Sequence, residues 1–174
     1  MILTNIGSIA QIVFGYHCYF LFWGKKIAFL GRVRYDEKER KKRGGAVKIL
    51  LFHVIGEKRQ SIEKLCREKK IQTVDIPLKD YEETLGALAG ITGMKRSGSV
   101  YRGKEFPSEM LVFSGMPPKE VDGFLAAYRE AKIAPIGLKA ILTPHNIVWN
   151  ARQLYEELLK EHLYMQNRKK EEHP

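Results

Sequence analysis

Cysteine is nearly missing from this chain: Cys18 and Cys66 are the only two in 174 residues. That excludes a disulfide framework and a cysteine-based metal site, and it fits a reducing, cytoplasmic compartment. Phosphate-loop and dinucleotide fingerprints are missing as well. Gly86-Ala-Leu-Ala-Gly90 lacks the lysine and flanks of a phosphate loop and reads as a close helix-packing segment. No acid has the spacing that would complete a triad with His53 and Ser114. Nothing in the sequence names a catalytic residue, a metal site or a cofactor. No repeat is evident beyond an alternation of strands and helices.

Charge is unevenly spread. Residues 1–24 carry none, whereas residues 25–45 hold nine Lys/Arg against three acids. The remaining chain has 21 basic and 17 acidic groups, so most of the excess of +10 lies outside the folding part. This weakens a nucleic-acid or lipid reading based on net charge. Two expectations compete for residues 1–45. They are a leader translated from an upstream start, with the true beginning at Val47, or a membrane anchor (1–24) followed by a basic linker. The first is favoured here, and membrane attachment is expected only if residues 1–24 are genuinely translated. Residues 46–167 are read as one α/β domain and 168–174 as a disordered tail.

Within the domain, Val47–Val54 is almost continuously apolar, as a strand buried on both faces requires. A helix follows from Gly56 to about Lys69. Thr73–Leu78 alternates, and Pro77 marks it as an edge strand. Asp80–Gly90 reads as a short helix and Thr92–Ser108 as a long exposed loop or hairpin. Met110–Phe113 is a buried strand, 118–131 a helix with Val121, Phe124, Leu125 and Tyr128 inward, and Ile136–Leu142 the fourth strand. Thr143 is expected to cap a last helix with Pro144 at its first position, burying Val148, Ala151, Leu154, Tyr155 and Leu158. This pattern predicts an α/β fold: a four-stranded, mainly parallel sheet in the order 2-1-3-4 with helices on both faces. The alternative is a ferredoxin-like α+β arrangement.

The segments EMLVFSG (109–115), LGALAG (85–90) and LKAILTPHN (138–146), with Trp149, resemble a small bacterial family catalogued as a domain of unknown function. The resemblance covers about Val47 to Met165. It implies a start near Lys48 and carries no activity and no functional residue.

Candidate ligand-binding residues are therefore read from position. His53 with Gly56, and Ser114 with Gly115, end the two central strands. In the 2-1-3-4 order, with all four strands ending at one edge, they flank the topological switch point where such folds bind ligands. Lys139 interrupts an apolar strand, either as a buried amine or as an outward guard of an edge strand. Thr143, His145 and Asn146 would face an anion at a helix start. Lys95, Arg96, Tyr101, Arg102 and Lys104 mix base and aromatic residues as a single-strand nucleic-acid surface does. Glu109 and Arg129 could pair. The expected function is a non-catalytic module that binds a small molecule or a protein partner. The alternative is a small enzyme with an anion site around Lys139, Thr143 and His145.

Overall fold

Lys48–Phe52 forms β1, and every side chain after Lys48 is buried, because both faces of this strand are covered. There follow α1 (Gly56–Glu68), β2 (Gln72–Ile76), a 3-10 turn (Leu78–Asp80), α2 (Leu85–Ala89), β3 (Met110–Ser114), α3 (Pro118–Glu130), β4 (Leu138–Ile141) and α4 (Ala151–Glu172). The computed structural model describes residues 46–172, with side chains as far as Tyr164. The leader and anchor readings of residues 1–45 lie outside them. Among the described residues no helix is long and apolar enough to cross a membrane.

The sheet order is β2-β1-β3-β4, as the apolar runs of the two central strands predict. Two pairs, β1/β2 and β3/β4, are parallel. The central pair is antiparallel, with Lys48 opposite Ser114 and Phe52 opposite Met110. This corrects the expectation that all four strands end at one edge. The path from β2 to β3 explains the reversal. After Ile76 the chain runs down the sheet face through α2, whose end reaches the amino end of β1, where Lys48 Nζ donates to the Ala89 carbonyl at 2.8 Å. Residues 91–109 then bring it back to the edge it left, so β3 must start there and run the other way.

Alternation along the strands sorts the core into two layers. On one face Ile49, Leu51, Leu111 and Phe113 pack against Ile62, Leu65 and Cys66 of α1 and Val121, Phe124 and Tyr128 of α3. On the other, Leu50, Phe52, Met110, Val112, Leu138 and Ala140 meet Tyr81, Leu85, Leu88, Phe106, Leu154, Tyr155 and Leu158. Burial of this extent raises the Cys66 thiol to about 12, with Glu63 adding to the effect.

The two βαβ units are copies of one plan, which the sequence reading does not find. Lys48 to Met110 and Gly56 to Pro118 are both 62 positions apart, and the helices have equal length. At the same spacing the backbone is left-handed at His53 (φ 55°) and Gly115 (68°), and again at Lys70 (57°) and Lys132 (53°). Both helices close alike: Ile71 N–H donates to the Cys66 carbonyl and Ile133 N–H to that of Tyr128. Only Arg67-Glu-Lys-Lys-Ile71 against Arg129-Glu-Ala-Lys-Ile133 keeps the likeness visible in side chains. With the central strands antiparallel and both helices on one face, the units are related by an approximate two-fold axis normal to the sheet. Ala134–Gly137 is the extra piece in the second unit, tied down by the Tyr128 hydroxyl donating to the Ala134 carbonyl at 2.7 Å.

Candidate functional site

The antiparallel centre divides the candidate residues between opposite edges of the sheet. His53 and Gly56 lie where β1 and β2 end. Ser114 is the last residue of β3, and Gly115, Thr143, His145 and Asn146 follow the ends of β3 and β4. The single crevice flanked by His53 and Ser114 is therefore not formed.

At the β3/β4 edge the polar groups hold one another. Thr143 N–H donates to Asn146 Oδ1 at 2.7 Å, and Asn146 Nδ2 donates to the Ile141 carbonyl at 3.1 Å. Residues 144–148 form turns, and α4 begins only at Ala151. Its cap is Asn150, in a reciprocal pair: Gln153 N–H to Asn150 Oδ1 at 2.8 Å and Asn150 N–H to Gln153 Oε1 at 3.0 Å. No helix start faces Thr143, so the anion argument built on one falls away, and Val148 is exposed rather than buried. His145 packs edge-on against Trp149. The amino end of α2 is occupied from the same side, with Leu85 and Gly86 N–H donating to the Trp149 and Ile147 carbonyls, both at 2.8 Å. A Cβ on Gly86 would overlap Met94 Sδ, so glycine serves close packing there.

Lys139 is buried, not an outward guard of the edge strand. Burial lowers its amine to about 8. Its Nζ donates to the Ile136 carbonyl, which precedes β4, so the side chain reaches away from Thr143 and His145. The three residues of the alternative anion site are not gathered. Glu109 pairs with Lys58 at 2.5 Å rather than with Arg129.

The β1/β2 edge differs in having an unmet polar atom. His53 is half-buried in a left-handed turn. Its Nδ1 is buried and has no hydrogen-bond partner. Tyr81 is fully buried, with its hydroxyl beside the Glu105 carboxyl and the His53 backbone amide. Burial first, then the nearby Glu105 carboxyl, push the Tyr81 phenol well above its ordinary value, while the His53 backbone amide acts the other way. At the rim, Arg59 bridges Glu63 at 2.8 Å and Asp75 at 3.2 Å. Tyr81 heads an aromatic group, with Phe52 edge-on at 5.5 Å, Phe106 stacked at 4.5 Å and Tyr101 at 5.7 Å. Phe106 lies in the stretch expected to be an exposed loop, yet it is buried, because the returning segment 91–109 brings it against Tyr81.

That segment has no strand, so it is a strap rather than a hairpin. Its anchor is Glu83, a buried carboxylate accepting the Ser97 and Gly98 amides at 2.6 Å each. Burial alone would raise this carboxyl. The two amides, the Ser97 side chain and Arg96 outweigh it and hold the group below its ordinary value. Of the basic-aromatic set, Arg96 is paired with Asp80 at 2.6 Å, and the Tyr101 hydroxyl donates to the Lys104 carbonyl at 3.1 Å. Those two side chains are engaged within the domain. Among the described residues no three His, Cys, Asp or Glu side chains are grouped to hold a metal ion.

No curated protein and no solved structure matches the chain. Residues 109–165, which carry the second βαβ unit and part of α4 and leave His53, Tyr81 and Glu105 outside, match the family model described as Domain of unknown function (DUF3783).

Proposed function

We propose that the chain is a cytoplasmic, non-catalytic binding module whose small ligand sits where β1 and β2 end, over His53, Gly56, Tyr81 and Glu105. The observation that carries this reading is the contrast between His53 and its counterpart Gly115. The two occupy one turn position with one left-handed backbone. The second unit fills it with the residue that bears no strain there, and the first with histidine. That histidine brings a buried Nδ1 without a hydrogen-bond partner. Buried polar atoms are ordinarily bonded, and the exceptions gather at binding sites together with local strain. A ligand that hydrogen-bonds the imidazole would supply what Nδ1 lacks.

Native mass spectrometry of the full chain from its own host tests the reading. The wild-type chain is expected to retain a small-molecule adduct, the Gly115→Ala chain to keep it, and the His53→Gly chain to lose it while still folded. Retention by His53→Gly would place the ligand elsewhere.

A further inference from the structure

Residues 95–100 are exposed without exception, so this stretch of the strap adds nothing to the core. It is nevertheless pinned to the turn that carries residues 79–83. Arg96 pairs with Asp80 at 2.6 Å, Glu83 accepts the Ser97 and Gly98 amides, and Tyr101 N–H donates to the Lys79 carbonyl at 2.9 Å. Arg96 and Tyr101 are thus tied to adjacent residues, and the chain between them arches over Glu83. Burying the Glu83 carboxylate costs desolvation, and the stretch it holds buries no apolar side chain in return. A polar loop fixed in shape on a rigid scaffold is the arrangement in which loops carry contacts to partners.

What the arch displays is positive charge. Residues 91–108 contain Lys95, Arg96, Arg102 and Lys104 against Glu105 alone. Arg96 is engaged by Asp80, but the side chains of Lys79, Lys95, Arg102 and Lys104 are exposed and pair with no group among the described residues. The tethers at residues 79 and 80 bring the two feet of the arch together, with Lys95, Arg102 and Lys79 at them. Glu82, the other acid of this turn, accepts a hydrogen bond from Asn150 Nδ2. Tyr101 is half-buried beside Tyr81 with its hydroxyl bonded, so no aromatic face is offered for stacking. Val100 is the one large apolar side chain that the arch exposes, too little to enter a lipid surface.

We propose that the arch of residues 95–104 docks the phosphate backbone of a nucleic acid strand through Lys79, Lys95, Arg102 and Lys104, without reading the bases. Release of condensed counterions drives contacts of this kind. Glu83 is a positioning residue: it fixes the arch and touches no phosphate. The reading does not depend on the ligand site at His53.

Fluorescence anisotropy of a labelled oligothymidylate with the full chain tests this, the bases of residues 25–45 being common to every variant. Each phosphate contact on a single strand adds about 0.7 to the slope of log affinity against log salt. The combined change Lys95→Gln, Arg102→Gln and Lys104→Gln should lower that slope by about 2. Raising salt from about 50 to 200 mM should then weaken wild type about twentyfold more than the variant. Lys64→Gln, Arg67→Gln and Lys69→Gln together, which remove exposed bases from α1, should leave the slope unchanged. Glu83→Gln keeps every base and should weaken binding severalfold by loosening the arch. An equal change of slope in the two triple variants would reduce the effect to overall positive charge and overturn the proposal. So would an unchanged slope in the strap variant, or a folded Glu83→Gln chain that binds like wild type. If Glu83→Gln does not fold, the triple variants decide. A polyglutamate peptide or phosphatidylserine vesicles that lose as much affinity as the oligonucleotide in the strap variant would overturn the choice of partner.

Discussion

Replacing His53 by glycine and by alanine in parallel isolates the strain in the β1–α1 turn. Both changes delete the same imidazole, so the lost packing and the relieved Nδ1 cancel in their difference. What differs is the backbone. At φ 55° alanine keeps the left-handed penalty and glycine does not, a difference of about 1–2 kcal/mol. Glycine also loosens the unfolded chain, which returns about 0.4–1 kcal/mol. The His53→Gly chain should therefore be more stable than His53→Ala by about 0.5–1 kcal/mol. At an ordinary helix position the order is reversed by about 1 kcal/mol. Urea denaturation with a shared m value reads the difference, and thermal unfolding should show about 2 °C between the two. By the repeat, Gly115→Ala should lose at least as much as His53→Ala loses relative to His53→Gly. An alanine chain as stable as the glycine chain at position 53 would mean the turn relaxes, and the contrast with Gly115 would no longer point to function.

Glu83→Ala should destabilise by about 2 kcal/mol, the worth of hydrogen bonds to a charged group, and speed tryptic cleavage after Arg102. Because the folded Glu83 carboxyl is held below its ordinary value, its contribution is present above the unfolded pKa and is lost as pH falls through the folded one. Urea midpoints from pH 6 downward should converge for wild type and Glu83→Gln. The amine of Lys139 is lowered to about 8. Between that pH and its unfolded value the unfolded chain binds more protons, so stability gained from this group rises with pH. Lys139→Met should be more stable than wild type at pH 7, with the gap narrowing toward pH 10. In a Cys18→Ser background the Cys66 thiol, buried and raised to about 12, should react with a disulfide reagent only as fast as the domain unfolds.

The strands, their order and both long interior helices are legible because continuous apolar runs and helical periodicity mark burial. Strand direction is not, since Met110–Ser114 reads the same whichever way it lies beside β1. That alone separated His53 from Ser114. The start of α4 was misread because Thr143-Pro144 has the form of a helix opening. The competing signal, Asn150 followed three residues later by Gln153, stands just downstream. The repeat left a readable trace in REKKI and REAKI, but its stronger signature is in backbone angles, which sequence does not display. Glu83 carried no local sign of burial, because the amides that solvate it come from a segment folded back onto it.

Two βαβ units joined in one chain are released from a constraint that binds a symmetric pair of separate subunits. In such a pair any residue at the β1–α1 turn appears at both edges, and its strain is counted twice. Here the second turn keeps glycine and carries the fold at no conformational cost, leaving the first free to hold a histidine that folding alone would not select. Covalent linkage of the halves thus permits one edge to specialise while the other remains scaffold.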